Sequence, residues 1–182
     1  MERRTALSMV LSAVDRIDAF VGLVGRFTAW LTLALVLLVA FNVIARYLFS
    51  AGTVATQELE WHILAVTALI GMSYGVNRGD EVRVDMLYAR YGSRSRAVVN
   101  LLSAVLTFLV ALFLFKVSLG YVSQSYAFLE GSPDPGGLSY RFVLKAFIPI
   151  GFGLLALQAV VQTGKAAREL SEAGVGNARS PE

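Results

Sequence analysis

The chain has no cysteine, a single histidine, four prolines and few charges, which make up only 16% of its 182 residues. Each shortage excludes something. Without cysteine there are no disulfides, thiolate metal sites, iron–sulfur clusters or covalently attached haem. His62 alone cannot build a bis-histidine haem site. With Glu58 one helical turn before it the pair offers two ligands, whereas zinc sites usually take three or four from the protein. Ser73 lies eleven residues from His62, about 16 Å along a helix, too far for a nucleophile and its base. A phosphate-cradling glycine-rich loop is also missing, so ATP hydrolysis is not expected. The expectation is a protein that is not an enzyme and has no catalytic residues, no metal, no cofactor and no nucleic-acid partner.

What the chain does have is apolar sequence. Hydrophobic residues make up 56% of it, and its mean hydropathy is +0.63. Such a chain solvates its side chains in lipid, where the backbone must satisfy its own hydrogen bonds as helix. The fold class expected is all-α: a polytopic membrane protein forming one membrane domain over residues 1–182. Four transmembrane helices are predicted at about 27–46, 59–76, 98–120 and 146–164, each near the ~20 residues that cross a bilayer. Pro149 is expected in the first turn of the last span, where a missing amide costs little. Residues 165–182 read as a polar tail.

Charge is sorted along the chain. Twelve of the sixteen Lys and Arg residues precede the first span, follow the last or lie in the connector Gly75–Arg96; Arg46, Lys116, Arg141 and Lys145 occupy the other side. By the positive-inside rule the N- and C-termini are expected in the cytoplasm. Within the connector, Val84, Leu87, Tyr88 and Tyr91 follow helical spacing, with Asp85 placed to cap the N-terminus and Gly92 the C-terminus, which predicts a short interfacial helix. Residues 1–26 read as an N-terminal amphipathic helix through Val10, Val14, Ile17, Val21 and Val24. A signal peptide fits less well, because Asp15 and Asp18 interrupt a short apolar run.

Polar residues inside spans are costly in lipid unless paired. Asn42 and Arg46 close the first span, and Glu58 and Glu60 open the second on the same side, so an Arg46 pair with Glu58 or Glu60 is expected as a structural tie. Gly71 and Gly75 form a G-x-x-x-G pattern that suits close helix approach. Lys116 can snorkel to the headgroups. Discontinuous helices carrying polar groups at the midplane, the mark of a self-sufficient secondary transporter, are not seen.

Several stretches carry a family likeness: NVIARYLF at Asn42–Phe49, ELEW at Glu58–Trp61, and NRGDEVRVDMLY at Asn77–Tyr88, which includes Arg83 and Asp85. On these, and on span spacing over nearly the whole chain, the sequence resembles the small permease subunit, or Q subunit, of tripartite ATP-independent periplasmic (TRAP) transporters, the DctQ-like family. Ser132–Phe152 resembles a branch labelled for mannitol or chloroaromatic compounds. The resemblance implies a bacterial inner membrane protein that braces a large elevator-type permease subunit, with a periplasmic substrate-binding protein and sodium-coupled uptake of a small organic acid or related solute. It would place Gly75–Arg96 beside the large subunit and the loop Tyr121–Tyr140 where the binding protein docks. With this chain ending at Glu182, the large subunit is expected as a separate polypeptide. Two alternatives remain: a four-helix membrane anchor of a respiratory enzyme, and a small homodimeric exporter.

Overall fold

A computed structural model describes residues 2–80 and 90–177, with side chains over 12–80 and 90–172. Four long helices carry the chain: α1 (Glu2–Phe49), α2 (Val54–Arg78), α3 (Ser93–Ala127) and α4 (Arg141–Asn177). All four are long and apolar enough to cross a membrane. The termini emerge at one end, here the terminus end. The α1–α2 and α3–α4 connections form the loop end.

The first difference from the sequence reading is in α1. The expected amphipathic segment and the first span are one unbroken helix of 48 residues, about 72 Å long. No proline or capping residue interrupts it, so the helix that begins in polar sequence continues into the span. The α2 helix starts five residues ahead of the predicted Leu59. Thr53 caps it in extended conformation, its hydroxyl accepting from the Thr56 amide at 3.2 Å. At its other end Gly79 turns left-handed (φ 74°), and the Asp80 amide bonds the Gly75 carbonyl at 3.0 Å.

Gly92 does not end a connector helix in left-handed conformation. It is extended (φ −65°, ψ 162°) and opens α3. The rest of the predicted interfacial helix, with Arg83 and Asp85, lies outside the described residues. Pro149 is also displaced from expectation: α4 begins at Arg141, so Pro149 falls in its third turn and removes the amide that would bond the Lys145 carbonyl.

α1, α2 and α4 pack against one another, α1 antiparallel to α2, and α3 packs principally along α4. Ala97, Ala104, Ala111, Ser118 and Ser125 are all buried, one every seven residues, and this seam of small side chains lets α3 lie close to α4. Where α1, α2 and α4 meet, Val21, Ile70 and Leu154 form the core, with Ile17, Val24, Val66 and Phe147 around them.

Two glycines set the helix spacing, and neither belongs to the predicted pair. A Cβ on Gly151 would sit 2.8 Å from the Leu69 carbonyl oxygen, so α4 touches the α2 backbone directly. Gly25 of α1 lies under the Tyr74 side chain of α2 rather than against its backbone. A Cβ on Gly71 or Gly75 would meet nothing within 4 Å, so the G-x-x-x-G pattern brings no helix close among the described residues.

Candidate functional site: polar ties at both ends of the row

At the loop end, α2 opens with two glutamates on different faces, and each reaches a different neighbour. Glu60 accepts a hydrogen bond from the Asn42 amide of α1, and Asn42 is only 7% exposed. Arg46 does not pair with either glutamate, correcting the expected tie. One turn beyond Asn42, its guanidinium reaches the Gln57 side chain, with the amide oxygen turned to accept. Asn42 is shorter and faces the α2 seam, so the amide rather than the arginine reaches Glu60, while Arg46 crosses the same hairpin to Gln57.

Glu58, 4% exposed, turns away from α1 and holds the α3–α4 loop. Its carboxylate accepts from the Ser132 hydroxyl and from the Leu138 amide, the latter at 2.6 Å. The loop closes on itself through Ser132 N–H to Leu138 O at 3.0 Å and Arg141 N–H to Glu130 O at 2.8 Å. Leu129 (φ 45°) and Tyr140 (φ 63°) flank it in left-handed conformation, which for such residues costs about 1–3 kcal/mol each and persists only where surrounding bonds enforce it. His62 does not face the Glu58 carboxylate: its Nδ1 lies 2.6 Å from the Glu58 backbone carbonyl, and its ring lies tilted by 39° against Trp61 with centroids 4.1 Å apart. The Arg141 guanidinium covers the Trp61 ring at 5.3 Å.

Glu130, in that loop, pairs with Lys145 and accepts from Ser125 at 2.7 Å. The Lys145 hydrogen bond, and after it that of Ser125, holds the Glu130 carboxyl below its ordinary value of 4.5. A depressed carboxyl contributes stability above the unfolded value and loses it as pH falls through the folded one. The loop is therefore expected to stay closed at neutral pH and to open progressively below about 4.5, read as hydrogen-exchange protection factors of the 128–140 amides. Protection no higher at neutral pH than at pH about 4 would refute this.

At the terminus end a second network ties three helices, and sequence reasoning missed it. Asp18 of α1 accepts through Oδ1 from Asn77 of α2 at 2.8 Å and from Gln158 of α4 at 2.9 Å, while Lys165 pairs with Oδ2 at 3.1 Å. Gln158 is wholly buried, and Gln162 donates to the Val76 carbonyl at 2.8 Å. The available signal was an amide inside a predicted span, which singled out Asn42 and applied equally to Gln158. Replacing Gln158 with Leu keeps the volume and removes one donor to Asp18. A loss of about 1–2 kcal/mol is expected in detergent unfolding; a variant as stable as wild type would show that the network is not holding α4.

Both networks spend their polar groups on each other, and among the described residues no group of three His, Asp or Glu side chains could hold a metal ion. The fold and its ties define a polytopic helical membrane protein whose interior polar groups bind helix to helix. Within that class, the chain belongs to the DctQ component of the tripartite ATP-independent periplasmic transporters, a family that matches residues 35–169. A relative, the ectoine TRAP transporter small permease protein TeaB of Halomonas elongata, is 24% identical over 117 residues, covering 64% of this chain. The match spans 60% of that relative's own length. The resemblance to this family read from Asn42–Phe49, Glu58–Trp61 and Asn77–Tyr88 is thereby shown.

Proposed function

We propose that this chain braces a large permease subunit for sodium-coupled uptake of a small organic acid or related solute, which a periplasmic binding protein delivers. One observation carries the reading. Several polar groups within and beside the spans are used in ties between helices or from helix to loop, as in Asn42 to Glu60, Asp18 to Gln158 and Glu58 to Ser132. Long apolar faces are left on the flanks, among them Phe27, Trp30 and Phe41 of α1 and Leu106 and Phe113 of α3. A helix bundle with apolar flanks suits a scaffold. The open surface at Gly71 and Gly75 is a place where a partner helix fits closely.

In this reading the termini are cytoplasmic in the inner membrane, because the arginine-rich segments lie at the terminus end. The latched loop 128–140 then faces the periplasm, where the binding protein docks. The test is native mass spectrometry of the tagged chain, expressed from its own operon and extracted in mild detergent. A one-to-one complex with a larger polytopic protein supports the reading. A complex carrying haem favours the respiratory anchor, and a homodimer the exporter; either outcome rejects the bracing role.

A further inference from the structure

At the terminus end, Tyr74 of α2 lies on Gly25 of α1, and each of the two helices carries an exposed arginine near that contact in sequence. Arg78 follows Tyr74 by one turn and holds its guanidinium 6.0 Å from the ring centre. Arg26 follows Gly25 directly. Neither has a salt-bridge partner among the described residues, and the exposed Asp80 is ion-paired with neither. The nearest interior carboxylate, Asp18, is already occupied by Asn77, Gln158 and Lys165, so it does not neutralise them. Immediately toward the loop end, Phe27 and Trp30 are 68% and 69% exposed on α1.

The layout has a chemical sense. Two unneutralised guanidiniums stand at the margin of the apolar spans, with large apolar side chains alongside them toward the bilayer centre. Guanidinium forks bind phosphate oxygens in pairs, and an aromatic side chain at this depth accommodates an acyl chain. We infer that Arg26 and Arg78, one from each helix of the Gly25–Tyr74 contact, bind the phosphate of an anionic phospholipid whose chains lie along Phe27 and Trp30. The charge sign selects an anionic headgroup over a zwitterionic one, and the adjoining apolar surface selects a lipid over a free anion.

The test uses the full-length chain, with any polypeptide that accompanies it, in nanodiscs of equimolar phosphatidylglycerol and phosphatidylcholine. Lipids retained after gentle release are counted by native mass spectrometry. Wild type is expected to retain phosphatidylglycerol in preference. Arg26→Gln and Arg78→Gln should each lower that preference roughly fivefold, the equivalent of about 1 kcal/mol per cation near a lipid surface. Lysine at both positions should restore part of it, which separates lost charge from lost folding. Lys116→Gln, which removes an exposed cation near the loop end of α3, should leave it unchanged.

No preference in wild type, or a preference that survives the double glutamine variant, overturns the inference. So does an equal loss in Lys116→Gln. If inorganic phosphate competes the lipid away, the site takes a soluble anion and the lipid assignment fails. Loss of an accompanying polypeptide with lipid retention unchanged would instead assign the arginines to a protein contact, and also overturns it.

Discussion

Gly151→Val is expected to be the most damaging single change in the membrane interior. The new Cβ would lie 2.8 Å from the Leu69 carbonyl oxygen and 2.9 Å from the Leu69 Cβ. The first is backbone, which cannot rotate aside, so α4 must move off α2. The added methyls widen the gap further and unseat Leu154 from Ile70 and Val21. Overpacking of this kind costs about 1–3 kcal/mol, and a branched side chain against backbone belongs at the upper end. The measurement is thermal unfolding in detergent, with Gly151→Ala as the intermediate case and Gly71→Val as the control. Because a Cβ at Gly71 meets nothing within 4 Å, that variant should unfold with wild type when the chain is alone. Equal losses at the two positions would mean that α2 and α4 do not meet through Gly151.

Removing the Glu58 carboxylate should have the largest effect outside the bilayer. In Glu58→Ala the Leu138 amide and the Ser132 hydroxyl lose their shared acceptor, and nothing else among the described contacts holds Ser132–Leu138 against α2. Leu129 and Tyr140 are then free to leave their left-handed conformations, which favours opening further. Hydrogen exchange of the Leu138 amide is expected to quicken by at least about tenfold, as for a segment passing from latched to locally open. Glu58→Gln, which keeps one carbonyl acceptor, should fall between. Helix amides near Leu154 should not change, since the core lies away from the loop. A loop as protected in Glu58→Ala as in wild type would show that its own turn hydrogen bonds suffice.

In the bracing proposal, that loop matters because a preformed surface spends less binding energy on ordering itself than a mobile one. The Glu58 variants therefore separate two questions. Faster exchange with unchanged transport would leave the latch intact as structure and remove its part in docking.

The reach of the sequence can be judged residue by residue. Asn42, Glu58 and Glu60 were legible as groups needing partners, because a polar side chain in apolar sequence must be compensated somewhere. Their actual partners were not legible. Arg46 looked like the natural mate for a glutamate by charge and position, yet Asn42 faces Glu60 and Arg46 turns to Gln57. Glu58 looked like part of the first hairpin and instead serves a loop 74 residues further on. The same holds for the glycines, since spacing drew notice to Gly71 and Gly75 whereas contact occurs at Gly25 and Gly151.

The sequence by itself determined that the chain is helical, that four segments can span a membrane, and that basic residues gather at the terminus end. These follow from hydropathy and charge summed along consecutive residues, and such sums need no knowledge of neighbours in space. Tertiary structure alone decided which helices pack together, the two polar networks, the glycines at which close contact occurs, and which arginines have no salt bridge among the described residues. Each of those depends on the rotation of one helix about its axis relative to another, which is fixed by many weak contacts between residues far apart in the chain.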